Sequence, residues 1–150
     1  MLISFDPGET TGIAEFNEDG SLVNLHQLNS KELVDFLSTY AEEVSVVIYE
    51  EYQMLPYMAR RQAGKTANKM PASRAIGAIM LFAKSRGAKL IKQRPNIKPA
   101  AIKLTQVKPP SNHANSHQID AYLHGAYYFI SMGITKSALE KEMEAENAKK

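Results

Sequence analysis

The sequence predicts an α/β fold, a mixed five-stranded sheet flanked by helices with its first three strands an antiparallel meander. Three observations predict it. Short apolar runs separated by turn clusters fill the first 30 residues, which is the pattern of successive paired strands. Segments at helical spacing then alternate with short β-branched runs, as in a sheet covered by helices. Finally, Val44 to Tyr49 is nearly continuously apolar, as strands buried on both faces usually are. The 150 residues suit one domain over residues 1–135, with residues 136–150 as a charged helical or frayed tail.

Leu2 to Phe5 is the first strand, closed by Asp6-Pro7-Gly8, and Gly12 to Phe16 is the second, ending at the turn cluster Asn17-Glu18-Asp19-Gly20. Leu22 to Leu28 is the third. Ser30 can cap a helix whose Leu33, Val34, Phe36, Leu37 and Tyr40 recur at helical spacing, and Val44 to Tyr49 is the fourth strand. Residues 51–70 are polar, basic and weakly periodic and read as a connection. Pro71 suits a first helical turn, and Ala75, Ile76, Ala78, Ile79, Leu81 and Phe82 make an apolar helix ending near Gly87. Lys89 to Lys92 is the fifth strand, Pro95 to Leu104 a short helix, and Pro109-Pro110-Ser111-Asn112 a linker. Asn115 or Ser116 can cap a core helix carrying Ile119, Ala121, Leu123, Ala126, Tyr127 and Ile130, and an alternating-charge helix follows Lys136.

The formal charge of +2 is a cancellation. Residues 1–51 hold 11 acids and one base, Lys31, whereas the 68 residues between Glu51 and Asp120 hold 13 Lys or Arg and no acid. Clustered cations bounded by carboxylates suggest a polyanionic substrate and a metal. The absence of Cys excludes disulfides, thiolate zinc sites and cysteine nucleophiles. The opening Met-Leu-Ile-Ser-Phe-Asp meets a charge too early for a signal peptide, and no apolar run approaches the roughly 20 residues that span a bilayer. A cytoplasmic protein that avoids membranes is expected.

Asp6 and Glu50 stand at the carboxyl ends of the first and fourth strands, and Asp120 lies one turn into the late helix. The ends of neighbouring strands in an open α/β sheet form a crevice, so the three acids can converge there. Close carboxylates repel unless a cation lies between them, and hard oxygen ligands favour Mg²⁺ or Mn²⁺, the ions of phosphoryl chemistry. Two such ions about 4 Å apart could activate water and stabilise a leaving oxygen. Each acid alone has an ordinary explanation, as a turn residue, a solvated strand end or a helix-dipole partner. Their combination beside the basic stretch is what points to a site. His117 shares a helix face with Asp120, as does His124 one turn on. A histidine beside a metal can ligate or move protons, but His124 reads as packing or surface, and His26 and His113 have no companions. Strand alternation sends Glu50 and Glu51 to opposite faces, so only one can join Asp6. Glu50 is favoured and Glu51 is the alternative acid.

Asp6-Pro7-Gly8-x-x-x-Gly12 after a short strand, an apolar strand ending Ile48-Tyr49-Glu50-Glu51-Tyr52, and His117-x-x-Asp120-Ala121 on a late helix together resemble the RuvC family of Holliday junction resolvases. The likeness covers residues 1 to about 131. It implies a ribonuclease H-like fold, divalent-metal cleavage of phosphodiesters in branched DNA, and a homodimer that nicks two strands. It also implies that Asp6, Glu50 and Asp120 are metal ligands, and that His117 fills a fourth position which the family occupies with His or Asp. The favoured Glu50 follows the family's placing of its acid directly after the apolar run with an aromatic, here Tyr52, just beyond. The short stretch from Lys98 to His117 and the charged tail look more like compact phage-type members, for which a broader range of branched or flap DNA is expected.

Arg60, Arg61, Lys65 and Lys69 interleave with Tyr52 and Tyr57, so phosphate neutralisation can be combined with stacking on an unpaired base. Lys98 resembles the family's basic position after the fifth strand and is read as a phosphate contact. The helix around Ala75 to Phe82 is either wholly core or core on one face and dimer contact on the other. The related sugar-kinase-type fold also opens on an Asp-x-Gly loop, but its nucleotide site needs a second lobe, so no nucleotide cofactor is expected. Two readings remain open beside a DNA nuclease: a nuclease of the same fold acting on RNA or RNA:DNA hybrid, and a non-catalytic protein that binds branched DNA.

Overall fold

A computed structural model of the chain describes residues 1–51, 71–107 and 116–148. Five strands form one sheet, β1 (Leu2–Asp6), β2 (Thr10–Phe16), β3 (Leu22–Asn29), β4 (Val46–Glu50) and β5 (Lys89–Gln93), in the order β3-β2-β1-β4-β5. The first three are antiparallel neighbours, as expected of a meander, and β4 and β5 add in parallel to β1. The described helices are α1 (Ser30–Thr39), α2 (Pro71–Ser85), α3 (Lys98–Thr105), α4 (Ser116–Ser131) and α5 (Ala138–Asn147), with a 3₁₀ turn at Pro95–Ile97 before α3. None is long and apolar enough to cross a membrane.

Side-chain alternation along the strands creates two cores. Ile3, Phe5, Ile13, Val47 and Tyr49 point to one face and pack under α1 and α2 through Leu33, Leu37, Ile79 and Phe82. Leu2, Ala14, Phe16 and Ile48 point to the other and meet Ala121 and Phe129 of α4. The strand β4 is therefore buried from both sides, which is why its sequence is apolar without alternation.

Two local expectations are corrected. The cap of α1 is Asn29, not Ser30: its side chain accepts from the amides of Lys31 and Glu32 while Glu32 bonds back to the Asn29 amide, a complete capping box. His26, read as partnerless, bonds Glu15 at 2.6 Å, and the Tyr40 hydroxyl donates to the other Glu15 oxygen at 2.6 Å. A carboxylate buried under α1 is thus paired on both oxygens, as burial requires. The same burial, and the bond to Glu15, hold the Tyr40 phenol well above its ordinary pKa of 10.

Candidate active site

Strand parity decides which acids meet. Leu2, Ser4 and Asp6 alternate with Ile3 and Phe5, so Asp6 shares the α4 side of the sheet with Leu2. On β4 the same parity takes Ile48 and Glu50 to that side, and on β5 it takes Ile91 and Gln93. Glu51 emerges on the opposite side and pairs with Lys92 at 2.9 Å.

Gly12 brings α4 into range. It lies opposite Asp6 in the β1–β2 register, and a Cβ built on it would fall 1.9 Å from the His117 carbonyl oxygen and 2.6 Å from the Gln118 nitrogen. Only a residue without a side chain lets the first turn of α4 lie this close to the sheet. Further along, Gly125 does the same against the Phe16 ring, 2.2 Å from a built Cβ. With α4 so seated, His117 Nδ1 is 2.6 Å from Asp6 Oδ2.

The cation among the acids is Lys98, the first residue of α3. Its ammonium donates to Glu50 Oε2 at 2.8 Å and to Asp120 Oδ2 at 2.9 Å, and its charge also acts on Asp6. Burial pushes the Asp6 carboxyl above its usual range; the nearby Glu50 and Asp120 add to this, against the pull of His117 and Lys98. Burial pushes Glu50 the same way, but hydrogen bonds from His124 and Lys98 outweigh it and hold Glu50 below its usual value. Burial alone would lower Lys98; its bonds to Glu50 and Asp120 and the charge of Asp6 prevail and raise it. The bond to Asp6 raises His117.

Asp6, Glu50, His117, Asp120 and Lys98 are therefore gathered from β1, β4, α4 and α3. Lys98 sits inside the acid cluster and not on the outer basic surface. Among the described residues, no three His, Asp or Glu side chains converge as a ready cation cage. The donors nevertheless match a hard divalent ion in kind: carboxylate oxygens, partly buried, already arranged about a positive charge. Tyr52, Arg60, Arg61, Lys65 and Lys69 lie outside the described residues, as do the 109–112 linker and His113.

Two residues at the site escaped the sequence reading. His124 is wholly buried, with Nε2 2.8 Å from Glu50 Oε2 and Nδ1 2.6 Å from Gln93 Oε1. Gln93, just past the expected end of the fifth strand, ends β5 beside Glu50. The available signal was the four-residue step from Asp120 to His124, which places both on one helix face.

No protein-family model and no curated protein match the chain. Among solved structures, Thermus thermophilus RuvC in complex with a Holliday junction substrate aligns over 91% of this chain and 98% of its own, with 14% identity and a TM-score of 0.53. Another Thermus thermophilus RuvC structure aligns over the same shares, with 14% identity and a TM-score of 0.51. A Fowlpox virus resolvase in complex with Holliday junction DNA aligns over 77% of this chain and 68% of its own, with 20% identity and a TM-score of 0.44. The sheet order and the two RuvC alignments give the chain a RuvC-like, ribonuclease H-like fold.

Proposed function

We propose that this chain, built on the RuvC-like fold, is a divalent-metal-dependent endonuclease that cuts phosphodiester bonds at Holliday junctions or other branched DNA. The observation that carries this reading is the pairing of Glu50 and Asp120, from a strand end and a late helix, with the Lys98 ammonium, whose charge also reaches Asp6, itself bonded to His117. Two carboxylates sharing one lysine, with Asp6 within its electrostatic reach, form an anionic pocket whose charge a divalent ion compensates better than one lysine does.

Asp6, Glu50 and Asp120 are the residues that would hold Mg²⁺ or Mn²⁺, with His117 beside them. When bound, such an ion supplies an activated water and neutralises charge developing on the phosphodiester. The protein's own groups complete the chemistry. Asp6 fixes the His117 ring through Nδ1, so Nε2 is the nitrogen left to take or give a proton on the half-exposed side. Lys98 offsets the acids in the free protein and is placed to donate to a phosphate oxygen once a substrate competes for it. The basic 52–70 stretch, with Tyr52, Arg60, Arg61, Lys65 and Lys69, supplies phosphate contacts and a stacking platform.

The functional unit is proposed to be a homodimer acting on intracellular DNA. Val34 of α1 and Leu81 of α2 are exposed along a cavity of about 420 Å³ floored by Leu37 and Phe82, an apolar face that a second copy of the chain could cover. Sedimentation of the isolated protein tests this; a monomer at micromolar concentration refutes it.

The test of function is a cleavage panel of four-way junction, three-way junction, flap, RNA:DNA hybrid and plain duplex with Mg²⁺ or Mn²⁺, with wild type beside D6N. Metal-dependent nicking of branched DNA, lost in D6N, is expected. Binding without cutting under every metal condition would leave a non-catalytic junction binder, and preferential cutting of the hybrid would move the substrate to RNA.

A further inference from the structure

Resting on the nuclease reading, we infer that His124 is a positioning residue for Glu50: seated between Glu50 and Gln93, it fixes the Glu50 carboxylate by Oε2 and keeps Oε1 for a divalent cation. His124 has no solvent exposure, on the stretch of α4 that also buries Ala121, Leu123 and Ala126. An apolar residue is the default there, because an imidazole so buried is tolerated only when its nitrogens are partnered. Both are. An ionised carboxylate accepts and cannot donate, so Nε2 carries the hydrogen of the 2.8 Å bond to Glu50. Gln93, 2.6 Å from Nδ1, holds the other side and sets the plane of the ring.

The three residues come from α4, β4 and β5, and Glu50 and Gln93 are opposite one another in the parallel register. The bridge therefore ties the helix that bears Asp120 to the two strand ends beside it. Lys98 cannot do this alone, although it also bonds Glu50 Oε2. Its four-carbon stem is flexible and its head is partly exposed, whereas the imidazole has two torsions and is packed all round. Both bonds use the same Glu50 oxygen, so among the described residues Oε1 is the one left for a ligand. When a cation or phosphate draws Lys98 away, His124 keeps the carboxylate from turning. This is the outer-shell support that metal ligands generally need, with a histidine serving the carboxylate.

The experiment compares wild type, His124→Leu and His124→Gln, each alone and with Glu50→Gln, by calorimetric titration of Mn²⁺, metal-free binding to a four-way junction, and Mn²⁺-dependent cleavage. H124L is expected to weaken Mn²⁺ binding by about 10–100-fold, while metal-free junction affinity stays unchanged. H124Q, which keeps an N–H toward Glu50, should recover most of the loss, and in the E50Q background H124L should add nothing. Should H124L fail to fold, Gln93→Leu, which removes only the ring's support, should still weaken Mn²⁺ binding measurably. Wild-type Mn²⁺ affinity in the folded variants, or an equal loss with and without Glu50, overturns the positioning role while the nuclease reading stands. If wild type itself neither binds Mn²⁺ nor cuts, that reading falls and this inference with it.

Discussion

Replacing Gly12 by Ala perturbs the site from its underside. The added methyl would stand 1.9 Å from the His117 carbonyl oxygen and 2.1 Å from its carbon, and both are backbone atoms that no rotamer change can move. Real Cβ atoms stay at least 3.0 Å from such neighbours, so the first turn of α4 must retreat from β2 by about 1 Å. That turn carries His117 and leads to Asp120, whose contacts to Asp6 and Lys98 are 2.6 and 2.9 Å and would be stretched or lost. Overpacking of this kind costs about 1–3 kcal/mol in stability, and a misplacement of about 1 Å at reacting groups lowers rate by about 100-fold. Thermal melts and single-turnover cleavage of a four-way junction measure both. Gly77→Ala is the control, since nothing lies within 4 Å of its built Cβ and an exposed helical glycine gains by the change. A G12A protein that melts and cuts like wild type would refute the claim that this glycine sets the distance between helix and sheet.

Lys98→Met leaves Glu50 and Asp120 without their shared cation, so the metal-free protein should lose about 1–3 kcal/mol, and Mn²⁺ should raise its Tm more than it raises that of wild type. Equal metal-induced shifts would count against a common pocket. Glu50→Gln should reduce cleavage by more than about 100-fold, beyond the loss of an outer-shell group, whereas Glu51→Gln, on the opposite face with Lys92, should stay within a few-fold of wild type; the reverse ranking would reassign the acid. In metal-free protein the bond to Asp6 raises His117 above 6.5. The stability it lends is therefore complete below the ordinary value and fades as pH rises through the raised one, so melts of wild type and H117A should differ most below the ordinary value and converge as pH passes beyond the raised one. An NMR titration showing His117 unchanged by D6N would contradict this.

The strands and their order of appearance were legible because each is a short run bounded by turn residues, and the helices because their apolar residues recur at the right spacing. Boundaries slipped where side chains competed to cap a helix, as at Asn29 and Ser30. The acids were legible as strand-end and helix-start residues; alternation showed that only one of Glu50 and Glu51 could join Asp6, and the family resemblance favoured Glu50. Lys98 was visible as a basic residue but not as the cation between Glu50 and Asp120, because that depends on where the 3₁₀ turn at Pro95–Ile97 delivers the start of α3. His124 was legible as a packing or surface residue, but its partners Glu50 and Gln93 were not, for a related reason: one histidine on an apolar helix face is ambiguous until the opposing strand ends are known.

By itself the amino-acid order determined the period of each segment, the alternation that sends Glu50 and Glu51 to opposite faces, and the separation of an acidic beginning from a basic middle, because these depend on neighbours in the chain. Tertiary structure alone decided that the sheet runs β3-β2-β1-β4-β5, that Gly12 admits α4 to within contact, and that Lys98 and His124 divide one oxygen of Glu50 between them. Those depend on distances between residues up to 111 positions apart, as for Asp6 and His117, and packing of the two faces of the sheet sets such distances.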